Sequence, residues 1–331
     1  MNTKDKILKI LINSADYVSG EEMSRSLGIS RAAINAAVKN LRSQGYEILS
    51  VTNKGYRLSN SPDILSSGEV CALLDEERAE SVIVLDTVTS TNDYLKKLAS
   101  EGASNGTVVI ADRQTRGKGR RGRAFESPAG QGIYLSYLMR PDQGLESISE
   151  ITSWTAVAIT DAVRNSYGIE TSIKWVNDII LNDLKICGIL TELSIEAETG
   201  RIDSIVIGIG INVNESSFEG ELKGIATSLS IETDTRYKRS ILAAELIRQL
   251  DKLAASWPMG KDYYLDTYKA RNITTGKKIK VFRIMAGAEE GINATAIDIN
   301  PDFSLKALYE DNTIHDLNSG EVRVRGISGY T

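Results

Sequence analysis

The sequence predicts an α+β protein in three parts: a helix-turn-helix with a hairpin at the front, a mixed sheet with helices in the middle, and a small all-β unit at the end. Three observations predict this. Residues 1–60 carry three amphipathic helix patterns and then a hairpin signal; the middle of the chain strings strands together without helices between them; residues 272–331 switch to short alternating strands. Consecutive strands without crossover helices argue for an antiparallel or mixed sheet rather than a doubly wound parallel one. A length of 331 residues suits two or three domains, at roughly 150 residues each. The expected boundaries are 1–62, 63–271 and 272–331.

At the front, Ile7, Leu8, Leu11 and Ile12 form one stripe of a helix over residues 4–13, and a second helix runs from Ser19 to Leu27. Gly28-Ile29-Ser30 is a tight turn, after which Ser30 can cap a third helix over 31–44 that turns Ile34, Val38 and Leu41 inward and stops at Gly45. Two short β runs, 46–51 and 56–58, flank Thr52-Asn53-Lys54-Gly55, which reads as a hairpin turn. Helix-turn-helix plus hairpin is a winged helix. Asn60-Ser61-Pro62 is a polar boundary, and one connecting helix is expected over 66–74.

The middle reads as strands at 81–87, 107–112, 132–139, 172–175, 179–181, 185–196 and 201–213, with helices at 91–100, 148–167, 239–257 and 260–270. Five short strands at 277–283, 291–298, 303–308, 313–316 and 321–326 then make a small barrel.

Composition narrows the function. Hydrophobic residues at 41% and charged residues at 25% are ordinary globular usage. No run approaches the roughly 18 apolar residues of a membrane span, and the N-terminus alternates charge with apolar residues, so the chain is expected to stay in the cytoplasm, away from membranes. Cys71, Cys187 and the single His315 cannot assemble a disulfide framework or a zinc site, which leaves carboxylates and phosphates to hold any metal and points to Mg²⁺. Residues 1–60 hold nine Lys/Arg against five Asp/Glu, a net +4, so the rest carries −9 of the overall −5. A basic module on an acidic body implies a polyanion partner for that module alone.

Four segments carry chemistry. In residues 116–123 every position is glycine (117, 119, 122) or cationic (Arg116, Lys118, Arg120, Arg121, Arg123). Glycines let backbone N–H groups approach a ligand, and guanidinium forks grip phosphate oxygens in pairs; the same composition also suits a nucleic-acid arm. This is not the G-x-x-x-x-G-K-[ST] phosphate loop. Lys174-Trp175-Val176-Asn177-Asp178 gathers a cation, an aromatic ring, an amide and a carboxylate, and strand alternation would put Lys174, Val176 and Asp178 on one face unless the chain bends. Lys185 leads into an apolar strand, as a snorkelling edge cation or as one held in a site. Gly208 and Gly210, before Asn212, signal either close backbone packing or room for a flat ligand near Trp175. Ser90-Thr91-Asn92-Asp93 starts a helix with a capping-box-like pattern, and a helix N-terminus also offers free donors.

The ordered set of Ser90-Thr91-Asn92, Gln114, the loop 117–123, Lys174 to Asp178, Lys185 to Leu190 and Gly208 to Asn212 resembles the biotin protein ligases, and the winged helix makes the chain look like the bifunctional type that is both ligase and biotin-operon repressor. The resemblance covers nearly the whole chain. It implies a class II synthetase-like central domain and an SH3-like C-terminal barrel. It also implies a two-step reaction: biotin and MgATP give biotinyl-5′-AMP, and a lysine of a biotin carboxyl carrier protein then takes the biotinyl group. On the resemblance, Ser90, Thr91, Asn92, Gln114, Lys118, Gly119, Arg120 and Lys185 bind biotin, with Lys185 and Arg120 as the catalytic pair. Arg120, Arg121, Arg123, Phe125, Asn177, Asn212 and Arg325 bind ATP, and Asp178 is the Mg²⁺ carboxylate. Operator DNA falls to Ser30, Arg31, Ala32, Asn35 and Lys39, at the start of the helix that enters the major groove, with Lys54 on the wing near phosphate. The homodimer is expected when biotinyl-AMP is bound. Three positions depart from the family pattern: Val176 replaces a usual Pro, Lys118 an Arg, and Phe125 a Trp. Rival readings are a lipoate ligase and a ligand sensor without catalysis.

Overall fold

The computed structural model describes residues 1–141, 148–195, 202–283, 291–318 and 322–326. At the front, α1 (Thr3–Ile12), α2 (Gly20–Leu27) and α3 (Arg31–Ser43) start on the side chains of Asn2, Ser19 and Ser30, each of which accepts a backbone N–H of the first turn. Gly28 ends α2 in the left-handed region at φ 66°. The wing is the antiparallel pair β1 (Glu47–Val51) and β2 (Gly55–Asn60). Gly55 sits at φ +106°, and a Cβ there would lie 2.0 Å from the Val18 carbonyl oxygen. That closeness lets Val18 and Tyr56 exchange both backbone hydrogen bonds, at 2.8 and 2.9 Å, and ties the wing to the α1–α2 loop. Ile7, Leu8, Leu11, Ile34, Val38 and Leu41 form the core of this unit.

The single connecting helix expected over 66–74 is instead α4 (Ser67–Cys71) followed by α5 (Glu76–Glu80). Leu73 N bonds Val70 O, so the chain leaves α4 through a tightened last turn.

Next come β3 (Val82–Val88), α6 (Thr91–Ser100), β4 (Val108–Gln114), β5 (Ile133–Met139), α7 (Ile148–Tyr167), β6 (Ser172–Lys174), β7 (Asp178–Leu181), β8 (Leu184–Ile195), β9 (Ile202–Ile211), α8 (Leu229–Thr233), α9 (Arg239–Ser256) and α10 (Lys261–Arg271). The strands form one seven-stranded sheet in the order β3-β4-β5-β9-β8-β7-β6. Its β3–β4 pairing is parallel and the others are antiparallel, so the expected mixed sheet is what forms. Period-two alternation divides its faces. Ile205, Ile207, Ile209 and Ile211 of β9 join the core that includes residues of α7 and α9, whereas Val206 packs with Leu95 and Ala99 of α6. Gly208 and Gly210 therefore open towards α6.

Strand alternation does not run through 174–178. Lys174 and Asp178 are register partners, so residues 175–177 are the turn of the β6–β7 hairpin. Trp175 leaves the sheet: its indole N–H donates to Phe303 O at 2.9 Å and its backbone N–H to Thr274 Oγ1 at 2.8 Å. Its ring thus serves the contact with the C-terminal unit and does not lie over the glycines of β9. The Trp175–Val176 peptide is cis.

The C-terminal strands β10 (Lys278–Arg283), β11 (Ile292–Ile299), β12 (Leu305–Tyr309), β13 (Ile314–Leu317) and β14 (Val322–Gly326) pair antiparallel in the order β13-β12-β11-β10-β14. Among the described residues no helix is long and apolar enough to cross a membrane.

A buried polar knot fastens the winged helix to the body. Arg239, 1% exposed, donates to Asp63 after the wing, to Asp112 of β4 and to Gly132 O. Asp63 also accepts from Asn214 Nδ2 at 2.9 Å, and Lys238 pairs with Glu69 of α4 at 2.8 Å.

Candidate active site

Ser90, Thr91, Asn92, Gln114, Phe125 and Lys185 converge on the α6 face of the sheet, where the first turn of α6, the end of β4, the loop after it and the glycines of β8 and β9 meet. Ser90 caps α6 and is 2% exposed. Gln114 Oε1 accepts from Thr91 N at 2.8 Å and lies 3.1 Å from Thr91 Oγ1, while Gln114 Nε2 donates to Ser127 Oγ at 2.9 Å. One amide thereby joins the helix start to the loop.

Asn92 lies across three strands. Ser136 of β5, Gly208 of β9 and Leu190 of β8 are cross-strand partners in one row. Asn92 Oδ1 takes the Ser136 hydroxyl at 2.5 Å, its Nδ2 donates to Glu192 Oε2 at 2.7 Å, and a Cβ on Gly208 would lie 2.3 Å from Oδ1. Gly208 is glycine because Asn92 crosses it. Gly210 does the same for Phe125: a Cβ there would stand 2.5 Å from two atoms of the ring. Its partner Gly188 faces both Phe125 and the Lys185 ammonium, and a Cβ on it would lie 3.6 and 3.2 Å from them. The glycine pair is thus a flat backbone floor carrying an aromatic ring and a cation side by side.

Lys185 Nζ lies 2.5 Å from Asp178 Oδ1, and their side chains are 25% and 17% exposed. Nearby, Arg120 Nη1 donates to Asn177 Oδ1 at 2.7 Å, and Asn177 Nδ2 donates to Ile189 O at 3.1 Å. Burial pulls the Arg120 pKa down from its ordinary value, and the Asp178 carboxylate opposes this. The β6–β7 hairpin thus brings Asn177 and Asp178 to the two basic residues from separate segments.

The loop itself divides. Lys118 pairs with Asp93 of α6 at 2.5 Å, and Gly119 N donates to Arg123 O at 2.7 Å. Arg121 adopts φ 60° and donates to Val322 O of β14 at 3.2 Å, so it turns towards the C-terminal sheet while Arg123 stays exposed. Asn212, 6% exposed, donates to Thr227 O at 3.0 Å and holds the segment that flanks Lys185. Arg325 occupies β14 opposite Lys280, but its side chain lies outside the described residues. Among the described residues no group of three or more His, Cys, Asp or Glu could hold a metal ion.

In the winged helix, Arg31, Ala32, Asn35 and Lys39 are exposed on α3, and Lys54 is exposed in the wing turn. The Tyr56 hydroxyl donates to Asn35 Oδ1, so the wing fixes that side chain. Sequence reasoning missed Ser127, Ser136, Glu192 and Lys96. Ser136, 0% exposed in the otherwise apolar strand β5, carried the one available signal: a polar residue at a buried strand position needs a partner.

The model of the Biotin/lipoate A/B protein ligase family matches residues 84–212, which hold the site, and that of the HTH domain matches residues 3–57. The bifunctional ligase/repressor BirA of Bacillus spizizenii is 40% identical over 252 residues, 75% of this chain and 77% of that protein. The chain belongs to the biotin protein ligase family. The BirA of Salmonella typhimurium is 30% identical over 95% of both chains, so the likeness to the bifunctional type runs through the winged helix as well. Among solved structures, the biotin protein ligase from Aquifex aeolicus in complex with biotin and ATP is 27% identical with a TM-score of 0.64, covering 74% of this chain and 98% of that one.

Proposed function

We propose that this ligase joins biotin to ATP as biotinyl-5′-AMP, passes the biotinyl group to a lysine of a biotin carboxyl carrier protein, and represses biotin genes through its winged helix. The observation that carries this is the Lys185–Asp178 pair beside Arg120 and Asn177, on the same glycine floor as Phe125.

In the first step a biotin carboxylate oxygen forms a bond to the ATP α-phosphorus, and the bond to the β-phosphate oxygen breaks to release pyrophosphate. Lys185, a mobile point charge, leaves Asp178 to lie between the two anions that meet. Arg120 holds the α-phosphate from the Asn177 side, Arg123 adds charge at the open edge, and Phe125 offers a face to adenine. Arg121 joins the loop to β14. In the second step the carrier amine attacks the acyl carbon, AMP leaves, and the amine gives up a proton. Asp178 would be the carboxylate to hold a magnesium ion brought with ATP, and such an ion would supply charge neutralisation at the departing pyrophosphate.

Ser90, Thr91 and Gln114 take the biotin head at the start of α6, with Lys118 and Gly119 closing over it; Asn92 supports them from below. Arg31, Ala32, Asn35 and Lys39 face DNA bases or the adjoining backbone, Ser30 caps their helix, and Lys54 meets phosphate. The adenylate-bound protein dimerises to cover two operator half-sites. The decisive experiment is ATP–pyrophosphate exchange with biotin or lipoate, followed by labelling of a carrier domain. Exchange that needs biotin, together with a labelled carrier lysine, is the expected result; exchange with lipoate instead, or none with either acid, would overturn the reading.

A further inference from the structure

The hydrogen bonds beneath the first turn of α6 have a direction, and Glu192 sets it. A carboxylate only accepts, and the other oxygen of Glu192 takes the Lys96 ammonium. The Asn92 atom facing it, 2.7 Å away, must therefore be the amide nitrogen. This orientation leaves Oδ1, again only an acceptor, 2.5 Å from Ser136 Oγ. Ser136 has one proton and two acceptors in reach, Asn92 Oδ1 and, at 2.8 Å, Thr91 Oγ1. The fixed amide draws that proton to Asn92. With that proton committed to Asn92, the 2.8 Å contact between Ser136 and Thr91 takes the proton of Thr91 instead, and the lone pairs of Thr91 Oγ1 stay open to a ligand. Were Asn92 reversed, Ser136 would donate to Thr91 and take one of its two lone pairs from inside the protein.

We infer that Glu192 is a positioning residue that selects a head group bearing N–H donors, by way of Asn92 and Ser136, because the order Glu192, Asn92, Ser136, Thr91 presents an accepting oxygen at the start of α6. The inference rests on the reading that this turn receives the cyclic urea of biotin. A ring without N–H groups gains nothing from such an acceptor, and burying it unpaired costs free energy.

The test uses the full-length protein in ATP–pyrophosphate exchange, with biotin and with its cyclic carbamate analogue, in which oxygen replaces one ring N–H. Glu192→Gln can present either end of its amide, so Asn92 is no longer held. The biotin KM should rise about tenfold or more, with kcat and the ATP KM within about twofold, and the preference for biotin over the carbamate should shrink by a similar factor. Asn92→Asp combined with Glu192→Gln restores the direction, since an Asp oxygen facing Ser136 only accepts while the Gln amide donates to the other. The double variant should regain biotin KM and preference, an outcome that a packing role for Glu192 does not produce. Unchanged biotin KM and preference in Glu192→Gln, or a double variant no better than the single one, would overturn the inference while leaving the ligase reading intact. Wild-type exchange that ignores biotin would remove both. Circular dichroism on each variant separates a fold lost from a direction lost.

Discussion

Replacing Lys185 by Ala removes the ammonium that sits 2.5 Å from Asp178 and borders Gly188 on the floor of the site. In the resting protein the loss is small, because a pair exposed by 25% and 17% contributes roughly 0–1 kcal/mol after solvent screening. During adenylation the same ammonium faces two anions at once. With charge centres about 4 Å apart and an effective dielectric of about 20, each contact amounts to about 4 kcal/mol before desolvation. Removing one preorganised donor of this kind typically costs about 3–4 kcal/mol, which is about 10²–10³ in rate. Biotin-dependent ATP–pyrophosphate exchange should therefore lose about two to three orders of magnitude in kcat, while the KM for each substrate moves less than about tenfold. Lys185→Arg should not rescue it: the charge stays, but a fork is bulkier than an ammonium beside a glycine whose Cβ position is already 3.2 Å from Nζ. A kcat loss below about tenfold in Lys185→Ala would refute the assignment of Lys185 to the reacting centre.

Four further outcomes are expected. Arg120→Gly breaks the bond to Asn177 and should let biotinyl-AMP escape, so that avidin blots show biotin on bystander proteins; label confined to the carrier would count against this role. Gly210→Ala sets a methyl 2.5 Å from the Phe125 ring, and the ring must move, so the ATP KM should rise by about an order of magnitude and more than the biotin KM. Glu215 is 6% exposed, and burial pushes its carboxyl from 4.5 up to about 7 against the pull of backbone amides and Arg239. Its folded form thus holds a proton that the unfolded chain has lost across that window, so stability falls as pH rises from about 4.5 to about 7, by something on the order of 3 kcal/mol; urea unfolding of Glu215→Gln should lack that slope. Arg239→Leu strands Asp63 and Asp112 around a buried gap and should cost about 3–5 kcal/mol, read as a lower melting temperature.

The fold was legible where local signals and burial agreed. The limits of α6 follow from apolar spacing and the Ser90 cap and those of α7 from apolar spacing, and the uninterrupted strands after α7 announce a mixed sheet. Legibility failed where tertiary contact decides. The helix expected over 66–74 stops at Cys71, although helix propensity favours its continuation. The reversal between the strands expected at 172–175 and 179–181 was legible from Asn177-Asp178, but the turn without Gly or Pro left open whether alternation ran on through Val176.

The site shows the same division at the level of single residues. Glycine and positive charge in the loop after β4 pointed to an anion, but composition could not distinguish the duties of its cations. Arg120 turns inward to Asn177, Lys118 pairs with Asp93, and Arg121 crosses to the carbonyl of Val322. Those partners lie 57, 25 and 201 residues away along the chain, beyond the reach of any local pattern. The glycines of β9 were visible too, but not the side chains that lie over them. Gly208 is close packing against Asn92, whereas Gly210 makes room for a flat group, which in this structure is the protein's own Phe125. Since Phe125 already lies on the Gly188–Gly210 floor, an adenine that stacks on this ring must use its outer face or displace it. The rise in ATP KM expected for Gly210→Ala is the signature of the outer face, because a ring stacked from outside loses its seat; an ATP KM that falls would mean instead that the ring has to leave.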